Sequence, residues 1–459
     1  MSSPASSSCS IDGVLPAGGA MSAGGDRGSR AARQAGPGGF VIGDPCIVTG
    51  PRRWRRRSMR AIPLGLPARP VIALSVASQH AFAHHCHMPE RTPRDPAASD
   101  AAPSAPPKRL ELALQGGGAH GAFTWGVLDR LLADESIAIE GISGTSAGAM
   151  NAVVLADGLV RGGRDGARAA LARFWRAVSD AARTSPVQRT WLDHALGRWT
   201  LDLSPGYIAM DLASRLVSPY DLNPLGLNPL REVVRETVDF GNVNRCDALK
   251  LFVAATNVRT GRPHVFRQPT ITLDSVMASA CLPFLFQAVE IDGEAYWDGG
   301  FMGNPALYPL VDECDARDLV IVQINPLVRA AVPKSAADIR NRMNEISFNA
   351  SLLKELRAIL LLKQLIDAEG LERERYRDML IHRIHAEAEM AALGVSSKLN
   401  AEWAFLEHLR DIGFRAADRF LADHRDDLGA RSTYPLEHVL WGSVRPAAIP
   451  DDAGAEDAA

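Results

Sequence analysis

The most informative absence in this sequence is that of a long hydrophobic run. The chain has 459 residues, of which 46% are hydrophobic and 22% are charged, as in an ordinary globular protein. No stretch reaches the ~20 consecutive apolar residues that a membrane-spanning helix requires. The sequence therefore predicts a soluble or peripheral protein, cytoplasmic or membrane-associated, with enough apolar residues to bury a core of normal size.

Cysteines are few and widely spaced. Of the six, only Cys246, Cys281 and Cys314 lie beyond the first hundred residues, and no two have the C-x-x-C spacing of a redox or zinc motif. This pattern predicts no disulfide framework and favours reduced thiols in a cytoplasmic protein. The tract from His80 to His87 is rich in potential metal ligands, but without a structured scaffold around it we predict no metal site there.

Lysine is missing altogether from residues 1–107, although twelve arginines stand there against six acidic residues. The segment thus has a net charge of +6. Since the formal net charge of the whole chain is −3, the remaining residues have a net charge of −9. The N-terminal segment is crowded with Ala, Gly, Ser and Pro, so we expect it to be disordered. Its arginine cluster, residues 52–57, could contact nucleic acid or anionic lipid, but such runs are usually just solvated, and we predict no nucleic-acid partner.

Residues 60–83 have a weak similarity to a secretory signal. A basic flank precedes short apolar stretches that end in Ala81-Phe82-Ala83, as a small-residue cleavage site would. Pro67, Arg69 and Pro70 interrupt the apolar run, however, and it starts far from Met1. Secretion is therefore the less favoured alternative.

The composition changes abruptly at Lys108. From there to residue 330, short apolar strands alternate with helical patterns, which predicts an α/β domain with a mostly parallel central sheet. Helical patterns over 336–368 and 401–422 then predict a helical C-terminal extension, residues 331–446, packed on that domain; an amphipathic lid or membrane-docking element is the alternative. The acidic tail, residues 447–459, is expected to be disordered.

The strongest motif is the G-x-S-x-G formed by Gly144, Ser146 and Gly148. It follows a predicted strand and precedes a predicted helix. Glycines on both sides of the serine permit a sharp turn that exposes the hydroxyl, and the helix N-terminus favours developing negative charge. The pentapeptide alone is a weak signal, and its placement between strand and helix makes it a candidate nucleophile.

A second motif, Gly116-Gly117-Gly118, also follows a strand and opens a helix. Consecutive glycines let backbone N–H groups converge on a negative oxygen, which serves an oxyanion hole or a phosphate cradle equally well. The G-x-G-x-x-G spacing completed by Gly121, with Glu140 downstream, leaves a dinucleotide site open. A tight turn with no ligand is the plainest alternative.

A third motif is Asp298-Gly299-Gly300, at the end of a predicted strand. An aspartate followed by two glycines in this position can face a cleft. Taken alone, an ordinary turn explains it better.

Together and in this order, the three motifs resemble those of patatin-like phospholipases, which are similar to this chain over roughly residues 110–324. Residues 254–257 and 278–283 also look like segments of that family. The resemblance implies a patatin-like three-layer α/β/α sandwich. It also implies a lipid acyl hydrolase that needs no metal and no cofactor and takes a lipid ester as substrate, with peripheral membrane contact as a further expectation.

The same resemblance implies a Ser–Asp dyad. Ser146 would attack the ester carbonyl, Asp298 would accept its proton, and water would hydrolyse the acyl-enzyme. Backbone N–H groups of Gly116, Gly117 and Gly118 would stabilise the oxyanion.

Two residues depart from the family pattern. Many members carry Asp before the glycines and Arg or Lys two residues after them, where this chain has Gln115 and His120. The missing basic side chain argues against anionic phospholipid head groups as the natural substrate, though not against the dyad.

Two other interpretations of the motifs stay open. One is a Ser–His–Asp esterase in which a downstream histidine completes a triad, the candidates being His382, His385, His424 and His438. The other is a regulator that binds a lipid or nucleotide on the same fold without turnover.

Overall fold

The computed structural model describes residues 106–329 and 331–442. The arginine cluster, the signal-like stretch and the His-rich tract, like nearly all of the N-terminal segment with its predicted disorder, lie outside the described residues. The acidic tail also lies outside them.

Eight strands of the described chain form one sheet. Their bounds are β1 Lys108–Leu114, β2 Ile137–Thr145, β3 Lys250–Asn257, β4 Pro263–Arg267, β5 Val289–Ile291, β6 Glu294–Asp298, β7 Asp318–Gln323 and β8 Leu380–His385.

The helices lie between and after these strands. Their bounds are α1 Gly121–Leu132, α2 Ala147–Ala182, α3 Trp191–Ala195, α4 Pro205–Leu216, α5 Pro219–Leu222, α6 Pro229–Thr237, α7 Phe240–Asn244, α8 Leu273–Ser279, α9 Tyr308–Glu313, α10 Ala336–Glu369, α11 Arg373–Tyr376, α12 Glu387–Ala391, α13 Trp403–His424 and α14 Leu436–Trp441. Short 3₁₀ turns cover Gly118–His120, Gly299–Phe301 and Val395–Leu399.

The sheet is mostly parallel, with an antiparallel edge. Its order is β5-β6-β3-β2-β1-β7-β8, and β4 also pairs with β3. The pairs among β3, β2, β1, β7 and β8 are all parallel, whereas β4 and β6 run antiparallel to β3. Crossover helices are needed between parallel strands, so this topology fits the α/β class that the sequence predicts.

Both faces of the sheet are covered, because side chains alternate along each strand. Leu110, Leu112 and Leu114 of β1 enter one hydrophobic core together with side chains of α1, α2 and α13. Ala113, between them, belongs to a second core that includes residues of α10. The result is a helix–sheet–helix arrangement, and the predicted mixed α/β fold with a mostly parallel central sheet is confirmed.

Strands β5 and β6 form a hairpin around Asp292-Gly293. Both of these residues have positive φ angles, 52° and 80°, as a two-residue I′ turn requires. The C-terminal segment differs more from expectation. Its two long helices, α10 and α13, are present, but β8 lies between them and extends the central sheet beside β7, a strand that the helical pattern did not predict.

Hydrophobic runs in the described helices are short or interrupted by charge. Within residues 106–329 and 331–442, no helix is long and apolar enough to cross a membrane.

Candidate active site

Two parts of the candidate site follow neighbouring parallel strands. β1 leads into Gly116–Gly118, called the glycine loop below, and β2 leads into Ser146. The two strands pair along their whole length, up to Leu114 opposite Gly144. Carboxyl ends of parallel strands lie at one edge of a sheet, so the glycine loop and Ser146 meet there.

Ser146 occupies a strained turn between β2 and α2. Its φ and ψ are 55° and −121°, a conformation that costs a non-glycine residue of order 1–3 kcal/mol. A hydrogen bond stabilises this turn: the Ser146 N–H donates to Ser279 Oγ at 2.8 Å. Strain supported in this way is typical of a serine held out of the fold at a strand-to-helix elbow.

Gly116 packs directly against Ser146. A Cβ on Gly116 would lie 2.7 Å from Ser146 Cβ and 2.8 Å from the Thr145 carbonyl oxygen, so no larger residue fits. The Gly116 N–H donates to Asn304 Oδ1 at 2.7 Å, and Asn325 Nδ2 donates to the Gly116 carbonyl at 3.1 Å. The Gly116 N–H is thus already used within the protein.

The next two glycines differ in this respect. In the described part of the chain, neither the Gly117 nor the Gly118 N–H has a protein acceptor. The Gly117 carbonyl accepts from the His120 N–H at 3.2 Å, which closes the turn into α1. Gly118 has a φ of +59°. Neither of these two N–H groups is therefore committed to a partner within the described chain.

Asp298 lies at the end of β6, which runs antiparallel to β3, and is near the same edge of the sheet. It pairs with Ala255 of β3, next to Ala254, which pairs with Thr145 of β2. Its N–H donates to the Cys281 carbonyl at 2.8 Å, and Thr256 Oγ1 donates to its carbonyl at 2.8 Å. The aspartate backbone is fixed at both ends, so its side chain has a defined direction.

The Asp298 carboxylate is buried, with 1% of the residue exposed. Burial raises its pKa to about 6, partly offset by hydrogen bonds from the Gly300 N–H and from the Ser146 side chain and by the charge of Lys398. The Gly300 N–H lies 2.7 Å from Oδ1. A carboxylate with a pKa near neutrality and a hydroxyl beside it is poised to exchange a proton with that hydroxyl.

Gln115 anchors the glycine loop through hydrogen bonds of its side chain. Its Oε1 accepts from the N–H groups of Ile324 and Asn325, both at 2.9 Å. Its Nε2 donates to the Asn304 carbonyl at 3.2 Å and to Asn349 Oδ1 at 3.1 Å. A neutral amide can donate and accept at once, which a carboxylate could not do here.

His120 does not supply the charge that a basic residue would give at this position. It is buried, and burial lowers its pKa to about 3, so the ring is neutral at physiological pH. Its Nε2 lies 2.8 Å from Ser397 Oγ. The histidine therefore ties the start of α1 to the turn Val395–Leu399.

Lys398, on that same turn, is a residue that sequence reasoning missed. Its Nζ donates to Asn325 Oδ1 and to Asn344 Oδ1, both at 2.9 Å. Its charge acts on the carboxylate of Asp298 and on the ring of His120. No motif surrounds it, and its place in the site depends on contacts between segments far apart in sequence.

The downstream histidines lie elsewhere. His382 is buried, with Nε2 3.0 Å from Asp318 Oδ1 and Nδ1 3.0 Å from Thr433 Oγ1, and Asp318 starts β7 at the sheet edge opposite the site. His385 contacts Arg383 at 3.0 Å, and His424 contacts Asp427 at 3.0 Å. His438 is exposed on α14. Among the described residues, none of the four is hydrogen-bonded to Ser146.

Metal ligands are not grouped in the described ranges 106–329 and 331–442, where no set of three or more His, Cys, Asp or Glu side chains could hold an ion.

Solved structures similar to this chain share little sequence with it. VipD from Legionella pneumophila is 16% identical, with 67% of each chain covered and a TM-score of 0.27. ExoU in its heterodimeric complex with SpcU, from the type III secretion system of Pseudomonas aeruginosa, is 18% identical over 74% of this chain and 76% of that one, with a TM-score of 0.26. TM-scores this low support no structural argument about this chain.

Among curated proteins, none matches the sequence significantly. The family model for patatin-like phospholipases does match, over residues 112–311, a range that holds the glycine loop, Ser146 and Asp298. Residues 112–311 are therefore a patatin-like phospholipase domain, of a family of lipid hydrolases.

Proposed function

We propose that the protein is a serine hydrolase that cleaves lipid acyl esters through a dyad of Ser146 and Asp298. The observation that carries the proposal is the buried Asp298 carboxylate at the end of β6, whose pKa is raised to about 6 by burial and lowered in part by the Ser146 side chain. Burial keeps this carboxylate basic enough to accept a proton near neutral pH, because desolvation disfavours its charged form.

The proposed reaction has two stages. Ser146 Oγ attacks the ester carbonyl carbon while its proton passes to Asp298, and collapse of the tetrahedral intermediate releases the alcohol, which takes that proton. Asp298 then accepts a proton from water, whose oxygen attacks the acyl-enzyme. Collapse of this second intermediate breaks the bond to Ser146 Oγ and releases the fatty acid, and the proton on Asp298 returns to Ser146 Oγ.

We propose Gly117 and Gly118 as the oxyanion donors of the glycine loop. Their N–H groups have no protein acceptor in the described chain, whereas the Gly116 N–H is taken by Asn304. Gly116 would then serve by letting the loop approach Ser146 closely. Loss of one oxyanion donor costs roughly 10²–10³ in kcat in comparable sites.

The proposed catalytic domain is 108–330, and we propose that the C-terminal extension, 331–446, completes its site. From that extension, Lys398 packs against Gly118 and Ser397 is hydrogen-bonded to His120, just after the glycine loop. A fragment ending at residue 330 would lack these contacts.

A lipid surface is the partner that we propose for an exposed apolar face next to the site. Twelve large apolar side chains between residues 191 and 227 are 37% exposed or more, and we call them the apolar face: Trp191, Leu192, Leu196, Leu203, Ile208, Leu212, Leu216, Val217, Tyr220, Leu222, Leu225 and Leu227. Helix α4 within it has no buried residue. Patches of this kind mark sites of protein or membrane contact.

The apolar face is hydrogen-bonded to residues 287–288, just before the β5–β6 hairpin whose second strand ends at Asp298. Gln287 Nε2 donates to the Asn223 carbonyl at 2.7 Å, and the Ala288 N–H donates to Tyr220 Oη at 3.2 Å. Residues 191–227 contain two arginines and four aspartates, so we expect apolar insertion and not attraction to anionic lipid to hold the protein there.

Hydrolysis of a short-chain nitrophenyl ester by the full chain, beside Ser146→Ala and Asp298→Asn, tests the dyad. We expect both variants to lose nearly all turnover while remaining folded. Activity that survives in Asp298→Asn but not in a variant of His382 or His385 would replace the dyad with a triad. A folded parent that neither turns over esters nor reacts with a fluorophosphonate probe would favour a non-catalytic binder.

A further inference from the structure

Lys398 is a partly buried cation whose partners are neutral. Two side-chain amide oxygens, from Asn325 and Asn344, accept from its Nζ. In the described part of the chain, no carboxylate forms an ion pair with it; Glu345, the nearest acidic influence beside Asp298, is paired with Arg329 and Arg342. An ammonium group has three donors, so one remains for a further acceptor.

Burying the Lys398 ammonium group among neutral partners costs free energy of folding. A charge removed from water needs a counter-charge or full hydrogen bonding, and neutral amides provide only part of this. Burial accordingly lowers the pKa of Lys398 to about 8, which still leaves most of it charged at neutral pH. A bound anion would offset this cost, and charged groups held under such strain concentrate at functional sites.

The position of Lys398 places its charge beside the reacting groups. On one side, Asn325 links Nζ to the Gly116 carbonyl, and the Lys398 carbonyl oxygen lies 2.5 Å from where a Cβ on Gly118 would be. On the other side, Nζ lies 5.7 Å from the centre of the Phe348 ring, which packs against Gly300. The ammonium group thus flanks both the glycine loop and the Asp298 turn.

We infer that Lys398 Nζ, together with the free N–H groups of the glycine loop, binds an anionic oxygen of the substrate. This inference rests on the proposed function. The anionic oxygen has two sources in a phospholipid: the head-group phosphate, or the oxyanion that forms at the ester carbonyl. His120, the ionisable residue closest to the loop in sequence, is neutral and cannot play this part.

The test compares a phosphate-containing substrate with a neutral one. Steady-state kinetics of the full chain are measured on phosphatidylcholine in mixed micelles and on nitrophenyl butyrate, for the parent and for Lys398→Met, Lys398→Arg, Asn344→Leu and Lys354→Met. Lys354 is exposed on α10, so its variant removes one charge without touching the site. Thermal melts establish that each variant is folded, and Lys398→Gln replaces Lys398→Met if the latter is not.

We expect Lys398→Met to lose roughly ten- to hundred-fold in kcat/KM, as for one hydrogen bond to a charged group, with partial retention in Lys398→Arg. A loss confined to phosphatidylcholine, mainly in KM, assigns the site to the phosphate. An equal loss in kcat on both substrates assigns it to the oxyanion.

Two results would overturn the inference. One is kinetics of Lys398→Met within two-fold of the parent on both substrates. The other is an equal loss in Asn344→Leu, which keeps the charge and removes one acceptor, since Lys398 would then act only as a structural tie. A parent inactive on both substrates would instead refute the proposed function itself.

Discussion

The backbone carbonyl of Lys398 fills the space that a side chain on Gly118 would need. A Cβ on Gly118 would lie 2.5 Å from that oxygen, and the φ of Gly118 is +59°. Gly118 is therefore constrained twice, by its own conformation and by a segment 280 residues away in the chain. The glycine loop and the turn Val395–Leu399 consequently form one structural unit.

Gly118→Ala should therefore lower both stability and turnover. Alanine at positive φ costs about 1 kcal/mol or more, and the overlap with Lys398 must push the loop away from Ser146. Gly261→Ala is the matched control, because Gly261 has a φ of +64° with nothing within 4 Å of its Cβ position. Chemical denaturation and ester kinetics should show a similar backbone cost in both but lost activity only in Gly118→Ala. Equal activity in the two would show that the loop tolerates displacement.

The proposed dyad predicts a defined pH dependence of turnover. As the proposed general base, Asp298 must be ionised, and its pKa is about 6, so kcat/KM should rise with pH through a midpoint near 6 and level off above 7. A pH–rate profile on a substrate without ionisable groups measures this. A midpoint near 4, the ordinary value for Asp, would mean that the carboxylate is solvated during catalysis.

The same carboxylate should affect stability with the opposite trend. Because its pKa is raised from 3.8 to about 6 on folding, the folded state holds more protons between these pH values, and its stability falls as pH rises through that window. Asp298→Asn removes this titration. The unfolding free energy of Asp298→Asn, relative to that of the parent, should therefore increase as pH rises from 4 to 6, by about 3 kcal/mol at most. A difference that stays flat across this range would contradict the raised pKa.

The hydroxyl of Ser279 should matter to the reactivity of Ser146, since its Oγ is the acceptor for the Ser146 N–H. Ser279→Ala leaves that partly buried N–H without its acceptor, at a cost of about 1 kcal/mol, and releases the strained turn. We expect slower fluorophosphonate labelling of Ser146 by ten-fold or more. Ser143→Ala is the control: it removes another buried hydroxyl bond on β2, to the Ala306 carbonyl at 2.6 Å, and should lower stability without slowing labelling.

Much of the fold could be predicted from local sequence patterns. β7 contains the apolar run Leu319–Val322, of the kind that buried parallel strands require, and β1 and β2 are apolar at most of their positions. The Asp292-Gly293 turn is specified by two residues alone. The three motifs were recognisable because each lies at a strand end and each consists of residues within five positions of one another. These features depend on neighbours along the chain, which a single sequence displays.

The parts of the structure that were not predicted depend on distant contacts. β8 has the sequence Leu-Ile-His-Arg-Ile-His. Its two histidines and its arginine are not typical of a buried strand, and it becomes one by pairing with β7. Lys398 lies in a polar turn with no periodicity, and only the packed structure places it beside the glycine loop. The use of the Gly116 N–H by Asn304 likewise joins residues 188 positions apart.

The apolar face predicts how the protein meets its substrate. Ile208, Leu212 and Leu216 lie one helical turn apart on α4 and are 52–74% exposed, so replacing Ile208 and Leu212 by Ser should remove apolar area from the contact without opening a core. We expect weaker sedimentation with phosphatidylcholine vesicles and slower hydrolysis of vesicle lipid, with unchanged turnover of nitrophenyl butyrate. Added phosphatidylglycerol should strengthen binding little, because residues 191–227 hold more aspartates than arginines.

The matched control for the apolar face lies on α10, where Leu361 and Leu365 are also four residues apart and are 57% and 41% exposed. Serine at these two positions removes similar apolar area from the C-terminal extension, which the sequence offered as an alternative docking element. If the α10 variant loses vesicle binding and the α4 variant keeps it, the extension is the docking element. If both keep it, neither surface holds the protein on lipid, and the substrate must reach Ser146 from monomers or micelles.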